Sequence, residues 1–567
     1  MAKKFYLPLL MLAILVMTSC SSKMGALKSS YFTTTPEVLE AVGGKVPVTI
    51  NGQFPEKFFK KNVTLTVTPV LKWDGGQVEG EPAIFQGEKI EGNYKTISYK
   101  NGGNFVMRSN FNYQPEMEKS ELYLNFKVQK KGKTYDLPPV KIADGVISTS
   151  ELVKNTLSSA NTTTAEDAYQ RIIKQKKEAN IMFLIQQANL RQNQLKSEGM
   201  NDFNKTVKDA NADTKGKAIE NIEISAYASP DGGVSLNDKL ANKRENNTTG
   251  YLKKQLKKDK INTNVDSKYT AQDWEGFQEL VSKSNIQDKD LILRVLSMYQ
   301  DPEKRESEIH NMSAAFRDLA DDILPQLRRS RLTLNYQLIG RSDEEINETL
   351  KNDPKALNIE ELLYSATLTN KDSEKKDIYT KATEYFPQDF RAYNNLGELA
   401  YREGNYSEAA NYYKKAVELN PNSAEANTNL GLLALVNGNK DAATTYLAKG
   451  TGAKTLNEAL GNLYIAQGQY DRAVNSFGDT ASNSAALAQI LSKNYSAAST
   501  TLSNIKDGDA YTSYLKAIVG ARTNDTSAVI NNLKDAINQK SALAKRAAKD
   551  LEFAKYFTNS DFQSLVK

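Results

Sequence analysis

Residues 393–421 read YNNLGELAYREGNYSEAANYYKKAVELNP, and the spacing of a few small and aromatic positions within them decides how the C-terminal part of the chain folds. Tyr393, Leu396 and Gly397 are followed by Gly404-Asn405-Tyr406, Ala409, Tyr413, Ala416 and Pro421; Leu430-Gly431, Gly438-Asn439 and Ala443 then repeat Leu396-Gly397, Gly404-Asn405 and Ala409 34 residues later. A third copy, Leu460-Gly461, Gly468-Gln469-Tyr470, Ala473 and Phe477, follows a shortened connection. A period of this kind means one supersecondary unit stacked on copies of itself, because a single unit cannot bury its own apolar face. Weaker copies flank the three. Ala382 and Pro387 end an earlier one, and Asn494-Tyr495 with Ala498 and Leu502, then Ala517 with Leu533 and Ala536, suggest two later ones.

The pattern resembles the tetratricopeptide repeat, which implies antiparallel helix pairs over 343–540, closed by capping helices at 541–567. Gly and Ala stand where paired helices approach closely, and Tyr, Leu and Phe fill the space between neighbours. The resemblance implies a concave face that holds a peptide or a partner domain. Asn394, Asn395, Asn427, Asn429 and Asn462 occupy non-template polar positions on the first helices and are the candidate groove residues. An asparagine amide both donates to and accepts from an extended backbone without demanding a particular sequence. A solvated helix face is the alternative reading of the same positions.

At the other end, Lys3 and Lys4 precede an apolar run from Phe5 to Met17, and the sole cysteine, Cys20, follows Thr18-Ser19. The run is too short to cross a hydrocarbon core of ~30 Å as a helix. It resembles a bacterial lipoprotein leader, with Met17 where that pattern usually has Leu. The resemblance implies removal of residues 1–19, lipidation of Cys20, and a tether over 20–44 that reads as a spacer; the expected location is the periplasm-facing outer membrane.

Composition excludes several chemistries. One cysteine and one histidine, His310, leave no disulfide framework, no Cys/His zinc cluster and no metalloprotease helix, so no metal site and no cofactor are expected. His310 without a partner motif reads as structural. A net charge of +6, from 74 basic against 68 acidic residues, is too dilute over 567 residues to imply a nucleic-acid partner. A mean hydropathy of −0.56 with 40% hydrophobic residues describes a solvated globular chain.

Between leader and repeats, residues 45–145 show period-two alternation in Val63-Thr64-Leu65-Thr66-Val67 and in Leu122-Tyr123-Leu124-Asn125-Phe126-Lys127-Val128. Turn signals at Asp74-Gly75-Gly76, Asn101-Gly102-Gly103 and Lys130-Lys131-Gly132-Lys133 make this a β-sandwich, with Trp73 read as a core or edge aromatic. Residues 146–167, rich in Ser, Thr, Asn and Ala, read as a linker. A helical stretch is expected near 166–177, followed by an apolar strand over 179–185, a helix, and a second strand over 222–227.

That second strand runs into Ala228-Ser229-Pro230-Asp231-Gly232-Gly233 and a helix carrying Asn237, Leu240 and Arg244. The segment resembles the OmpA-like domain, whose signature is a Gly-Tyr/His-Thr-Asp turn followed by Asn-x-x-Leu-Ser-x-x-Arg. Leu327-Arg328-Arg329-Ser330-Arg331-Leu332 resembles that family's approach to its closing strand, so the domain is expected over 168–342, with a helical insertion at about 268–321. In the family the turn aspartate and helix arginine grip the amino-acid stem of peptidoglycan. A guanidinium suits a carboxylate and an aspartate an ammonium. The resemblance therefore implies a peptidoglycan site at Ser229, Asp231, Asn237 and Arg244. Ser229 stands at the aspartate position and cannot supply its charge; Asp231, two residues on, either takes that role or is an ordinary turn residue beside glycine.

The expected protein is thus multidomain: an N-terminal β-sandwich, a central α/β OmpA-like domain with a helical insertion, and an all-α tetratricopeptide solenoid. It reads as a lipid-anchored scaffold of a cell-envelope assembly that contacts peptidoglycan and recruits outer-membrane or periplasmic proteins. The alternative is a pure protein-protein scaffold whose OmpA-like domain no longer binds the wall. No nucleophile–base pair or paired-acid signature points to an enzyme.

Overall fold

The computed structural model describes residues 24–286, 289–311, 317 and 319–567; the leader and Cys20 lie outside the described residues. The chain forms two units, one made of residues up to Glu166 together with Asn370–Lys567, the other of Asp167–Thr369.

The N-terminal half of the first unit is built on two facing sheets. One holds β1 (Phe32–Thr35), β2 (Lys45–Phe54) and β7 (Gly103–Asn112) in the order β1-β2-β7. The other holds β3 (Thr64–Trp73), β4 (Gly76–Glu79), β5 (Ala83–Gly87), β6 (Lys95–Ile97), β8 (Ser120–Lys130) and β9 (Lys133–Gly145), in the order β6-β5-β3-β8-β9 with β4 also on β3. Alternate residues of β2, β3, β7 and β8 point into one core, in which Phe54, Phe85 and Phe105 pack with centroids 4.7–5.2 Å apart. The stretch 24–44 is not the spacer expected from its sequence. Met24, Leu27, Phe32, Leu39 and Ala41 are all buried in that core, and β1 closes the edge of β2. Their spacing follows neither a strand nor a helix period, so their burial is set by what the loop lies against.

The C-terminal half of the unit is a stack of helix pairs: Phe390–Arg402 with Tyr406–Leu419, Ala424–Val436 with Lys440–Leu447, Leu456–Ala466 with Tyr470–Phe477, Asn483–Leu491 with Tyr495–Asn504, and Ala510–Arg522 with Thr526–Gln539. The template positions do the packing. The ring of Tyr413 lies against Gly397, Leu447 against Gly431 and Phe477 against Gly461, each so close that an added Cβ would meet side-chain atoms at 2.4–2.6 Å. Each pair turns through a residue with positive φ, and Gly404, Gly438 and Gly468 supply it in the first three. In the last two the same turn is made by Lys493 (φ 62°) and Asn524 (φ 60°), which is why those copies are degenerate in sequence while the backbone is not.

The second unit is an α/β sheet in the order β10-β13-β11-β12, formed by β10 (Ile172–Met182), β11 (Lys217–Tyr227), β12 (Asn264–Thr270) and β13 (Arg329–Ile339). β13 runs antiparallel to both β10 and β11, and β12 parallel to β11. Helices Glu198–Ala212 and Val234–Lys258 contribute Met200, Phe203, Val207, Leu252 and Leu256 to a core with Ile181, Ile222, Ile224, Leu332 and Leu334. The stretch 172–177, expected as helix, is strand. Its side chains are exposed on both faces, so it carries no period-two signature, and its lysines suit a sheet edge. Between β12 and β13 lie helices Trp274–Lys283, Lys289–Met298 and Pro302–Asn311, and the first two form a second small core of Phe277, Val281, Ile292 and Leu296 with Leu319, Ile323, Leu324 and Leu327. No helix among the described residues is long and apolar enough to cross a membrane.

A left-handed lysine is strained relative to glycine by roughly 1 kcal/mol. Lys493→Gly is therefore expected to stabilise the repeat half by about 0.5–1 kcal/mol, read as an upward shift of its thermal midpoint, whereas Gly468→Lys should lower it.

Candidate functional site

Residues 147–166 do not cross solvent as a linker. From Thr149 to Ser159 they form short helical turns whose Leu152, Val153 and Leu157 are buried among the repeat helices, in one core with Leu435, Leu463, Ile465 and Leu487. Burying the two leucines contributes on the order of 1.5–3 kcal/mol each. Polar anchors flank them. The Thr149 hydroxyl donates to Glu552, a buried carboxylate that Arg522 holds with two bonds of 2.6 and 2.8 Å, and the Ser484 hydroxyl donates to that of Thr156 at 2.8 Å. Ser150 donates to the carbonyl of Ala41 at 2.7 Å, tying the segment to the β half of the unit.

Beyond Ala160 the segment straightens and crosses the first helices of successive pairs in reverse order, held by side chains that address its backbone. Asn395 accepts from the Ala165 amide at 2.8 Å and donates to the Ala165 carbonyl at 3.0 Å. Asn429 treats Thr163 likewise, accepting at 2.8 Å and donating at 2.8 Å. Asn394 adds a donor to the Thr163 carbonyl at 2.9 Å and accepts from Asn429 at 3.0 Å. Side chains are read as well: Thr164 donates to Glu398 at 2.6 Å, Asn161 to Glu458 at 3.0 Å, and the Thr163 hydroxyl meets that of Thr455. Burial pushes the carboxyls of Glu398 and Glu458 upward, opposed by these hydrogen bonds.

Three of the five candidate groove asparagines, Asn394, Asn395 and Asn429, thus converge on one bound segment. Asn427 instead donates to the carbonyls of Pro421 and Ser423 at the start of its own helix, at 3.1 and 2.7 Å. Asn462 donates to the carbonyl of Glu458 at 2.9 Å, and its Oδ1 is buried with no partner among the described residues. Reasoning from sequence misses Glu398, Glu458 and Thr455, which sit at no template position. A signal for the segment does exist: residues 147–166 contain no Gly or Pro and include Leu152, Val153 and Leu157, which a free linker has no reason to carry.

In the second unit, the turn after β11 gathers Ser229, Asp231 and Asn237. Asn237 donates to the carbonyls of Ser229 and Gly232 at 3.0 and 2.7 Å and so fixes the turn. Asp231 receives the Ser229 hydroxyl and pairs with Arg328 at 2.8 Å, both side chains largely buried. Arg244 is 0% exposed and stacks on Phe183. It donates to three backbone carbonyls, those of Gln187 at 2.9 Å, Tyr227 at 2.8 Å and Leu184 at 3.2 Å. Burial and the nearby Arg328 charge pull its pKa down to about 10, with Asp231 opposing. The insertion abuts this turn: Trp274, Phe277, Glu306 and His310 line a small cavity with Pro230 and Asp231. No cluster of three or more metal-ligating side chains occurs among the described residues.

The first unit is thus a helical-repeat scaffold closed over an extended peptide of its own. Tetratricopeptide-repeat models match residues 390–423, 412–445 and 455–482, so the C-terminal region carries tetratricopeptide repeats, a fold whose general role is to bind partner proteins. Among solved structures the chain is similar to a tetratricopeptide repeat protein from Parabacteroides merdae ATCC 43184, at 15% identity over 46% of this chain and 96% of that one with a TM-score of 0.28. It is similar also to YrrB, a repeat protein described as having an unusual peptide-binding site, at 17% identity over 37% and 100% with a TM-score of 0.22. A thermophilic repeat protein from Thermus thermophilus is 20% identical over 28% and 89%, with a TM-score of 0.22. No curated protein matches the chain in sequence.

Two outcomes follow from this geometry. Arg244→Ala removes three hydrogen bonds and the packing of a fully buried side chain and should destabilise the second unit by about 3 kcal/mol or more, visible in thermal melting, with Arg244→Lys recovering only part because one ammonium cannot span all three carbonyls. Glu398 has its pKa raised in the folded state, so its contribution to stability is complete below the ordinary carboxylate range and is lost as pH rises through the raised value. Glu398→Gln should therefore reduce the fall in stability of the first unit between about pH 4 and pH 7, measured by denaturant unfolding at both.

Proposed function

We propose that this chain is a protein-binding scaffold of the bacterial envelope, lipid-anchored through Cys20 in the outer membrane and facing the periplasm. The observation that carries the scaffold reading is the asparagine grip of Asn394, Asn395 and Asn429 on the extended backbone at Thr163 and Ala165. Side chains that pair with both the N–H and the C=O of one residue are a device for holding peptide. The envelope location rests on the leader pattern ending at Cys20.

The second unit is read as an OmpA-like domain, supported by its mixed four-stranded sheet and by Asn237 and Arg244 on the helix that follows the Ser229–Asp231 turn. Its relation to peptidoglycan has two readings. In one, Asp231 and its neighbours hold the peptide stem. In the other, the domain has lost the wall and serves as a protein contact. The second is favoured by the state of the turn, since Asp231 is neutralised by Arg328 and each nitrogen of Arg244 already donates to a carbonyl. A ligand zwitterion would have to displace bonds that are already made.

Sedimentation of purified residues 21–567 with peptidoglycan sacculi separates the two. The protein-only form expects the chain to stay in the supernatant. Sedimentation that is lost in Asp231→Ala, with the thermal midpoint unchanged, would establish the wall-binding form instead. Envelope fractionation of cells carrying wild type or Cys20→Ala tests the anchor, which requires wild type in the outer-membrane fraction and the variant outside it.

A further inference from the structure

The segment in the repeat groove divides sharply at Ala160. Before it, Leu152, Val153 and Leu157 are part of the hydrophobic core, and their release would open that core. After it, the attachment is almost wholly polar. Asn161, Thr164 and Glu166 are exposed and reach Glu458, Glu398 and Lys454 at the rim, while Thr163 and Ala165 alternate inward. Hydrogen bonds to this stretch come from side chains of the repeats, each net worth about 1 kcal/mol, and lifting it exchanges them for bonds to water or to another backbone without opening the apolar core.

The groove is also not fully used by this occupant. Asn462 lies one helical turn beyond Glu458 on the same face, is 1% exposed, and its Oδ1 has no partner among the described residues. A buried acceptor left unmade costs about 1–3 kcal/mol, and an occupant that brought a donor to it would recover that energy. The occupied positions define what such an occupant looks like. Thr163 and Ala165, the two inward side chains, are small and each only 3% exposed, and Thr455, Glu398 and Glu458 address hydroxyl and amide groups at alternate and flanking positions.

We propose that residues 161–166 are a tethered ligand in an exchangeable peptide site. The site takes an extended segment of a partner protein with small, hydroxyl-bearing residues in the pattern Asn-x-Thr-Thr-Ala, and the chain's own segment competes with it. This rests on the groove reading above and not on the envelope location. The tether keeps the internal ligand at an effective concentration in the mM range, so a partner segment gains the groove only when its affinity exceeds that of the native stretch or its local concentration is high.

The test uses the chain from residue 21 and a fluorescent peptide of residues 158–168. In a variant with residues 161–166 replaced by a Gly-Ser run of equal length, the groove is vacated, and the peptide should bind at least tenfold tighter than to wild type. Adding Asn395→Ala and Asn429→Ala to the vacated chain should abolish binding. A vacated chain that still melts cooperatively but does not bind the peptide overturns the proposal, as does one that no longer folds. Hydrogen exchange in wild type supplies an independent reading: the Thr163 and Ala165 amides should exchange at least tenfold faster than that of Leu435 in the repeat core. Equal rates would mean that the segment leaves only when the repeats unfold, and would overturn the proposal. Neither assay involves membrane or peptidoglycan, so failure of the envelope reading leaves both results intact.

Discussion

A polypeptide laid across the face of a helical solenoid must satisfy its own backbone, because N–H and C=O groups taken out of water without partners cost more than the contacts around them return. Residues 161–166 meet this requirement through asparagines that present an acceptor and a donor from one side chain, so that Asn395 closes both bonds of Ala165 and Asn429 both bonds of Thr163. The part of the segment before Ala160 is anchored differently. There Leu152, Val153 and Leu157 enter the repeat core, and Ser150 binds the β half through the carbonyl of Ala41. Sandwich and solenoid, separate in sequence, are joined within one unit by this segment and by direct contacts, among them Lys440 donating to the carbonyl of Gly43 at 3.0 Å.

The second unit applies the same requirement to a charge. Arg244 is buried without a carboxylate of its own and is balanced by three carbonyls and the face of Phe183. Its aspartate neighbour in the chain, Asp231, is taken by Arg328. Two residues that resemblance joins as one ligand grip are therefore placed in different local networks, one completing the backbone around β11 and the other closing a turn. That separation, more than the Ser229 replacement, bears on what this surface can bind.

Much of the architecture is legible because it obeys a period. The Leu-Gly, Gly-Asn and Ala positions of the repeats, the alternation of β3 and β8 and the apolar run of β11 each report one buried face at a fixed interval. Where the period fails, so does the reading. Strand β10 reads in part as helix because its first residues bury neither face. Residues 24–44 and 147–166 read as spacer and linker because Met24, Leu27, Leu152 and Leu157 are buried by packing against another part of the chain. The groove asparagines are visible as non-template polar positions, but nothing in their spacing says what they hold. Glu398, Glu458 and Thr455 acquire meaning only when Thr164, Asn161 and Thr163 stand beside them.

By itself, then, the sequence determined the helix pairs, the strand-rich N-terminal region and the α/β centre, since each is written in local repetition of apolar and small residues and each would form in any context that covers one face. Only the tertiary structure decided the contents of the groove and the partners of Asp231 and Arg244. Those depend on contacts between residues far apart in the chain, Thr163 with Asn429 and Asp231 with Arg328, which no local pattern encodes because the energy that selects them exists only when both partners have been desolvated together.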